Sequence, residues 1–321
     1  MFHRILAPLD GSSLAECVLP HLAALARTFD AEVELVHVLA CNVGRVGDPV
    51  DPLSWEMRKA EARSYLDEVS VRLAEAGIDN VSANILEGEP AQRIVEFAQS
   101  RNVDLVVLSS HGQAGLNRWN VSSVVRKVIQ CANRSIFLVR AYTAPETESP
   151  LTSDPVYKRL LVPVDGSRRA ECALNVAVTV ARTHGADLLL GHVVAKPEMP
   201  SQVPLSTEDN ALLERFTERC RDAGADYLEQ LRGRLSMDFE ALLSVSDDRN
   251  AALHALVDEQ RADLVVLCAH GFSGKSRWPF GSVATSFIEY GNTPLLMVQD
   301  LDPNSLQATQ AELAAVEIKG Y

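Results

Sequence analysis

The sequence predicts two tandem α/β domains, each with a doubly wound parallel sheet, and three observations lead there. The chain repeats itself. Arg4–Glu16 (RILAPLDGSSLAE) matches Arg159–Glu171 (RLLVPVDGSRRAE), which sets Asp10 against Asp165 and, at the same spacing of 155, His37 against His192. Val103–Gly112 (VDLVVLSSHG) matches Ala262–Gly271 (ADLVVLCAHG) at a spacing of 159, so one ancestral unit is present twice. Within each copy, short continuous apolar runs alternate with helical periodicity, the pattern of a parallel sheet covered on both faces. Finally, each copy's first run stops at Asp-Gly-Ser, a strand end that opens a helix.

In the first copy, Ile5–Leu9 is a strand and Ala15–Phe29 carries apolar residues at helical spacing. Val33–Leu39 is β-branched and apolar, a second strand. Asn42–Pro52, with two glycines and two prolines, is a loop, and Ser54–Ala76 is an amphipathic helix. Val81–Leu86 is a strand, Ala91–Gln99 a helix, Leu105–Leu108 a strand, Ser122–Cys131 a helix and Ile136–Val139 the last strand. The second copy repeats this order. The expected divisions are a first domain at 1–142, a Pro-, Thr- and Ser-rich linker at 143–157, a second domain at 158–300 and a tail at 301–321.

Of the 321 residues, 47% are hydrophobic and 23% charged, a globular composition long enough for two cores. The formal charge of −13 argues against nucleic acid or an anionic membrane surface as partner. No apolar window is long enough to span a bilayer, and the acid at Asp10 speaks against a signal peptide, so a cytoplasmic protein without membrane insertion is expected. None of the six cysteines forms C-x-x-C or sits at zinc spacing, which reads as reduced, mostly buried thiols.

Ligands of a doubly wound sheet sit outside the carboxyl ends of its strands, and two features fall there. One is Asp165, with its counterpart Asp10, either a helix-capping carboxylate or one that takes a ribose hydroxyl or a phosphate-bound divalent cation. The other is the loop Cys268-x₂-Gly271-x₉-Gly281-Ser282 after the fourth strand. Its glycines would let the backbone approach an anion and use φ > 0, and Gly281-Ser282 opens a helix whose free N–H groups suit phosphate. Ser282 adds a hydroxyl, and Lys275 and Arg277 add positive charge within the loop. In the first copy the pattern is Ser109-x₂-Gly112-x₉-Ser122-Ser123. There serine replaces glycine at the helix start: the N–H survives, but a Cβ intrudes where phosphate would approach. His37 and His192 read as packed or backbone-bonded. His111 and His270 read as loop-ordering, with phosphate proximity the alternative, and Trp119 and Trp278 as packing anchors rather than base-stacking platforms. The chain has no G-x-x-x-x-G-K-[ST], no G-x-G-x-x-G after the first strand, no G-x-S-x-G and no nucleophile–base pair, so no catalytic residue is assigned.

At these residues the chain resembles the universal stress protein family in its tandem form. The family pattern, G-x₂-G-x₉-G-[ST] after the fourth strand with an Asp closing the first, falls on Cys268, Gly271, Gly281, Ser282 and Asp165 in one copy. In the other it falls on Ser109, Gly112, Ser122, Ser123 and Asp10. The resemblance implies two five-stranded, Rossmann-like, adenine-nucleotide alpha-hydrolase-like domains and a stress-response regulatory role. It implies ATP, with Mg²⁺ or not, or alternatively AMP or ADP, bound mainly in the second domain. There Val193 would hold adenine through its backbone beside Pro163, Asp165 would take the ribose or a nucleotide-bound Mg²⁺, and Gly271, Gly281, Ser282 and Val283 would take the phosphates. Asp10, Val38, Gly112, Ser122 and Ser123 form the weaker first set. Cys268, Ser109 and Ser122 depart from the pattern. Family domains pair through their last strands, which implies an internal pseudo-dimer of Ile136–Val139 with Leu295–Val298 and leaves homodimerisation and regulatory protein partners open. The competing readings are a ligand-free scaffold with structural loops and an ATP pyrophosphatase, the latter lacking its glycine pair in LDGSS and VDGSR.

Overall fold

The computed structural model describes residues 1–40, 52–112, 121–141, 157–197, 206–271 and 280–300. The first repeat runs β1 (Arg4–Pro8), α1 (Ser13–Glu16), α2 (Leu19–Phe29), β2 (Glu32–Leu39), α3 (Pro52–Glu75), β3 (Val81–Glu87), α4 (Pro90–Ser100), β4 (Leu105–Ser109), α5 (Ser123–Cys131) and β5 (Ser135–Val139). The second runs β6 (Arg159–Pro163), α6 (Cys172–His184), β7 (Asp187–Ala195), α7 (Thr207–Arg234), β8 (Glu240–Ser246), α8 (Arg249–Glu259), β9 (Leu264–Cys268), α9 (Ser282–Tyr290) and β10 (Leu295–Val298). The two orders match, as the sequence repeat requires.

One expected helix is two. Pro20 has no N–H to give the Glu16 carbonyl, so α1 ends there and α2 restarts, with Leu22 N–H bonding Val18 O at 2.8 Å. Chain reversal after α2 and α6 uses left-handed residues, Asp30 (φ 51°) and Gly185 (φ 64°), whose N–H groups close onto Ala26 and Ala181 carbonyls. The long α7 begins with a reciprocal cap between Ser206 and Asp209.

The strands form one ten-stranded sheet in the order β3-β2-β1-β4-β5-β10-β9-β6-β7-β8. Every neighbouring pair is parallel except β5 and β10, which run antiparallel with Leu138 opposite Leu295 and Phe137 opposite Leu296. Two five-stranded parallel halves thus share their last strands. Alternate side chains of the central strands feed different cores. Ile5, Ala7, Leu160 and Val162 pack with α2, α3, α6 and α7, while Leu6, Leu161, Val265 and Leu267 pack with α4, α5, α8 and α9. Burial on both faces is why these strands are continuous apolar runs. β3 and β8, at the sheet edges, are only half-buried and carry Ser, Asn and Glu.

Contacts between the repeats reinforce the strand pairing. Tyr157 is buried between His21 of α2 and His184 of α6, its hydroxyl 2.7 Å from His21 Nδ1. Arg140, also buried, donates from Nη2 to the Phe287 and Ile288 carbonyls at 2.8 and 2.5 Å near the end of α9.

Candidate functional site

β1 lies between β2 and β4, and β6 between β7 and β9, so the chain leaves these strands toward opposite sides and opens a crevice at their carboxyl ends. Asp10 and Asp165 stand at those two points. Asp165 Oδ1 accepts from the N–H (3.0 Å) and hydroxyl (2.6 Å) of Ser167, and Asp10 Oδ1 accepts from Ser12 in the same way (3.0 and 2.5 Å). Gly11 and Gly166, both at φ +82°, make the tight turn between, a conformation that favours glycine. Ser12 is the N-cap of α1, whereas α6 has Glu171 as its N-cap with no side-chain cap bond, and Ser167 closes the turn before it. Ser12 Oγ accepts from Ala15 N at 3.2 Å and Ser167 Oγ from Ala170 N at 3.1 Å. The aspartates therefore order the turn rather than cap the helix themselves.

The second carboxylate oxygen faces the loop after the fourth strand. A Cβ on Gly271 would collide with Asp165 Oδ2, and one on Gly112 with Asp10 Oδ2. This corrects the expected φ > 0 of these loop glycines. Gly112, Gly271 and Gly281 are not among the residues with positive φ; Gly281 is extended, at φ −74° and ψ 172°. Gly112 and Gly271 are small because a pinned carboxylate lies against them. Gly281 is different again: a Cβ there would meet Ala269 O, His270 Cα and Gly271 N at 3.6–3.9 Å, ordinary contact distances. Among the described residues it would fit, lying between the start of α9 and residues 269–271.

The helix starts separate the two copies. Gly281 is the N-cap of α9 and, having no side chain, makes no cap bond to the helix's first turn. Ser122 is the N-cap of α5, and its Oγ accepts from Val125 N at 3.3 Å. In the first copy a side-chain hydroxyl therefore satisfies one of the helix's free N–H groups. The cap-residue N–H is committed in both: Gly281 N donates to Ala269 O at 2.8 Å and Ser122 N to Ser110 O at 3.0 Å. The first N–H groups of α9 without an intrahelical acceptor are those of Ser282, Val283 and Ala284. Ser282 is exposed, and Val283 is half-buried against the core shared with α4, α5 and α8. Ser123 is the first residue of α5.

Pro163 is the buried last residue of β6. Val164 N donates to Gly191 O at 2.9 Å, so the Gly191 carbonyl points toward β6. Alternation turns the Val193 N–H and C=O the same way, beyond the end of β6, while the Val193 side chain is buried. Val38 is its half-buried equivalent in β2. His192 is backbone-bonded: Nδ1 donates to Val164 O at 2.9 Å, and burial holds its pKa below the ordinary value against the opposing effects of that bond and of Asp165.

His270 is buried two residues past the end of β9. Its Nδ1 donates to Asp300 Oδ1 at 2.6 Å, and Asp300 Oδ2 lies 3.2 Å from Arg169 Nε, with His270 and Asp300 side chains 1% and 4% exposed. The network ties the loop after β9, the end of β10 and the turn before α6 into one wall. In the first copy Ala141 and Leu14 stand where Asp300 and Arg169 do, and His111 Nδ1 lies 3.0 Å from Ser110 Oγ. Asp300 and Arg169 were not among the sequence candidates. Their signal is a charged pair in one copy set against an apolar pair in the other. A second missed set recurs in both copies. Tyr227 donates to Glu171 at 3.2 Å, and Arg234 to the same carboxylate at 2.9 Å, while Arg72 bonds Glu16 at 2.8 Å beside Tyr65. Burial, then the carboxylate, pushes both tyrosine pKa values up, so these phenols are donors, not bases.

Lys275, Arg277, Trp119 and Trp278 lie outside the described residues. Among the described residues no cluster of three His, Cys, Asp or Glu could hold a metal, so Asp165 fits a cation only jointly with other ligands. No described helix is long and apolar enough to cross a membrane.

Comparison with known proteins agrees with this architecture. The model of the universal stress protein family matches residues 1–140 and 156–299. Universal stress protein Rv2005c of Mycobacterium tuberculosis is 24% identical over 305 residues, covering 92% of this chain and 97% of that protein. Universal stress protein MJ0531 of Methanocaldococcus jannaschii is 32% identical over 142 residues, 44% of this chain and 83% of its own length. A crystal structure of a universal stress protein from Archaeoglobus fulgidus superposes with a TM-score of 0.63 at 19% identity, covering 92% of this chain and 98% of that one, a likeness of fold. With a family match in each repeat and a shared fold across both, the chain belongs to the universal stress protein family.

Proposed function

We propose that the second repeat binds an adenine nucleotide, ATP or a close relative, in the crevice outside β6, β7 and β9, and that the first repeat serves as a ligand-free structural counterpart. The observation that carries this is the contrast at the helix starts: α9 has no side-chain cap and a glycine at its mouth, whereas Ser122 caps α5. The Ser282 hydroxyl and the first N–H groups of α9 hold the phosphates, helped by the partial positive charge of the helix end. Lys275 and Arg277 supply the charge that a polyphosphate needs. Asp165 takes a ribose hydroxyl, or a Mg²⁺ that arrives with the phosphates. The Val193 N–H and C=O, beyond the end of β6, present one donor and one acceptor to the edge of adenine beside Pro163. Bound Mg²⁺ would neutralise phosphate charge next to the carboxylate. The role is binding and regulation, and no residue is assigned to hydrolysis.

The test is titration of the purified chain with labelled ATP and Mg²⁺. Saturable binding with one site per chain is expected. Gly281→Ser copies the first repeat's own helix start and should weaken binding about tenfold, the worth of roughly one lost hydrogen bond. No binding at millimolar ATP, or an unchanged affinity in Gly281→Ser, overturns the assignment.

A further inference from the structure

We propose that Cys172 and Cys268 form a reversible dithiol–disulfide pair, a modification site at the base of the second repeat's crevice. Their sulfurs lie 2.8 Å apart although the residues are 96 positions apart in sequence. That separation exceeds a disulfide bond of about 2.05 Å by less than an ångström, so closure needs side-chain adjustment rather than refolding. The placement follows from the fold. Cys172 is the first residue of α6, and Cys268 is the last of β9, in register with Val298 of β10.

The two sulfurs have different surroundings. Cys268 is buried, 7% exposed, and its hydrogen bond with Cys172, reinforced by burial, pushes its thiol pKa far up. Cys268 therefore keeps its proton. Cys172 is half-buried and is the sulfur that meets an oxidant first. A hydroperoxide supplies the balance. The Cys172 sulfur attacks one peroxide oxygen, the O–O bond breaks, and Cys172 sulfenic acid forms with release of water (or of an alcohol, from an alkyl peroxide). The Cys268 sulfur then displaces the hydroxyl, which leaves as water with the Cys268 proton, and the S–S bond forms. Two thiols are oxidised by two electrons as one peroxide is reduced. Two equivalents of a small thiol reverse the step by exchange.

The first repeat is an internal control. Its equivalent residues are Cys17 and Ser109, with Sγ and Oγ 3.5 Å apart, and Ser109 donates to the Leu14 and His111 carbonyls. The same packing position carries a hydroxyl there, so the fold does not need sulfur at both places. Closing the pair draws the end of β9 onto α6. Gly271 and Asp165, the facing walls of the crevice, lie three residues past Cys268 and seven before Cys172. The effect on ligand affinity rests on the nucleotide reading above; the disulfide itself does not.

The full chain, reduced and then exposed to hydrogen peroxide, is alkylated with iodoacetamide, digested with trypsin and mapped by mass spectrometry. A single cross-link is expected between Ala170–Arg182 and Ala262–Lys275, the tryptic peptides that hold the two cysteines, with loss of two of the six alkylatable thiols. Dithiothreitol should restore both. Cys268→Ser reproduces the Cys–Ser pair of the first repeat; it should fold and should carry Cys172 on to sulfinic acid without a cross-link. Sulfinic Cys172 beside an alkylated Cys268 in the native chain, or a cross-link to another cysteine, overturns the proposal. The oxidised form should bind labelled ATP about tenfold more weakly, again roughly one hydrogen bond. A mapped disulfide with no ATP binding in either state overturns the nucleotide reading alone. A mapped disulfide with equal affinity in both states overturns only the coupling between them.

Discussion

A methyl group at position 271 would fall inside contact distance of a carboxylate that Ser167 already holds by two hydrogen bonds. Gly271→Ala is therefore expected to cost about 1–3 kcal/mol, the range for overpacking, read as a lowered urea midpoint. Asp165→Ala in the same chain should recover most of that loss, so the double-mutant cycle should give a clear coupling. Additive effects would mean that the carboxylate does not lie against the glycine. Sequence spacing put both residues at the crevice but assigned the glycine to a left-handed backbone. Only the fold brings Asp165, 106 positions earlier in the chain, against it, and a contact over that separation leaves no local periodic trace. The same holds for Asp300 with His270 and Arg169.

At the scale of the element, the decisive difference between the copies is one helix cap. Ser122→Ala should destabilise the chain by about 1 kcal/mol, whereas Ser122→Gly should cost only a few tenths, because glycine leaves the first turn open to water. Equal losses in chemical denaturation would show that the Ser122 hydroxyl does not cap α5. The element boundaries were largely legible, since strand runs buried on both faces and helices of 3.6-residue period leave strong patterns. The break between α1 and α2 is masked in the spacing, although Pro20 is visible in the sequence, because apolar residues continue across it. The commitment of the Gly281 N–H to Ala269 was not legible either. It depends on how the loop folds back between β9 and α9.

For the whole molecule, the contact between repeats predicts a pH dependence. Burial lowers the His21 pKa from 6.5 to about 4, and its Nδ1 faces the Tyr157 hydroxyl, whose own pKa burial pushes well up. The folded state thus takes this proton less readily than the unfolded one. Stability from His21 is complete above about pH 6.5 and is lost as pH falls toward 4, up to about 3 kcal/mol, less the screening at its partly exposed edge. His37, His184, His192 and His254 are shifted the same way by burial and add to the slope. Urea midpoints of the native chain should fall from pH 7 to pH 5, and His21→Leu should flatten that fall; an unchanged slope would remove His21 from the account. The shared sheet also leaves only β3 and β8 as edges, both half-buried and polar, which suits strands that end a sheet.

The sequence by itself determined the duplicated α/β architecture, the succession of strands and helices along each copy and the two loops at the crevice, because all of these follow from local pattern and repetition. Tertiary structure decided what those residues touch. It set a carboxylate against Gly271, a carbonyl on the Gly281 N–H, the buried Asp300 carboxylate on His270 and one sulfur against another. Each of these is a contact between segments far apart in the chain, fixed by sheet register and helix packing, and neither composition nor spacing encodes it.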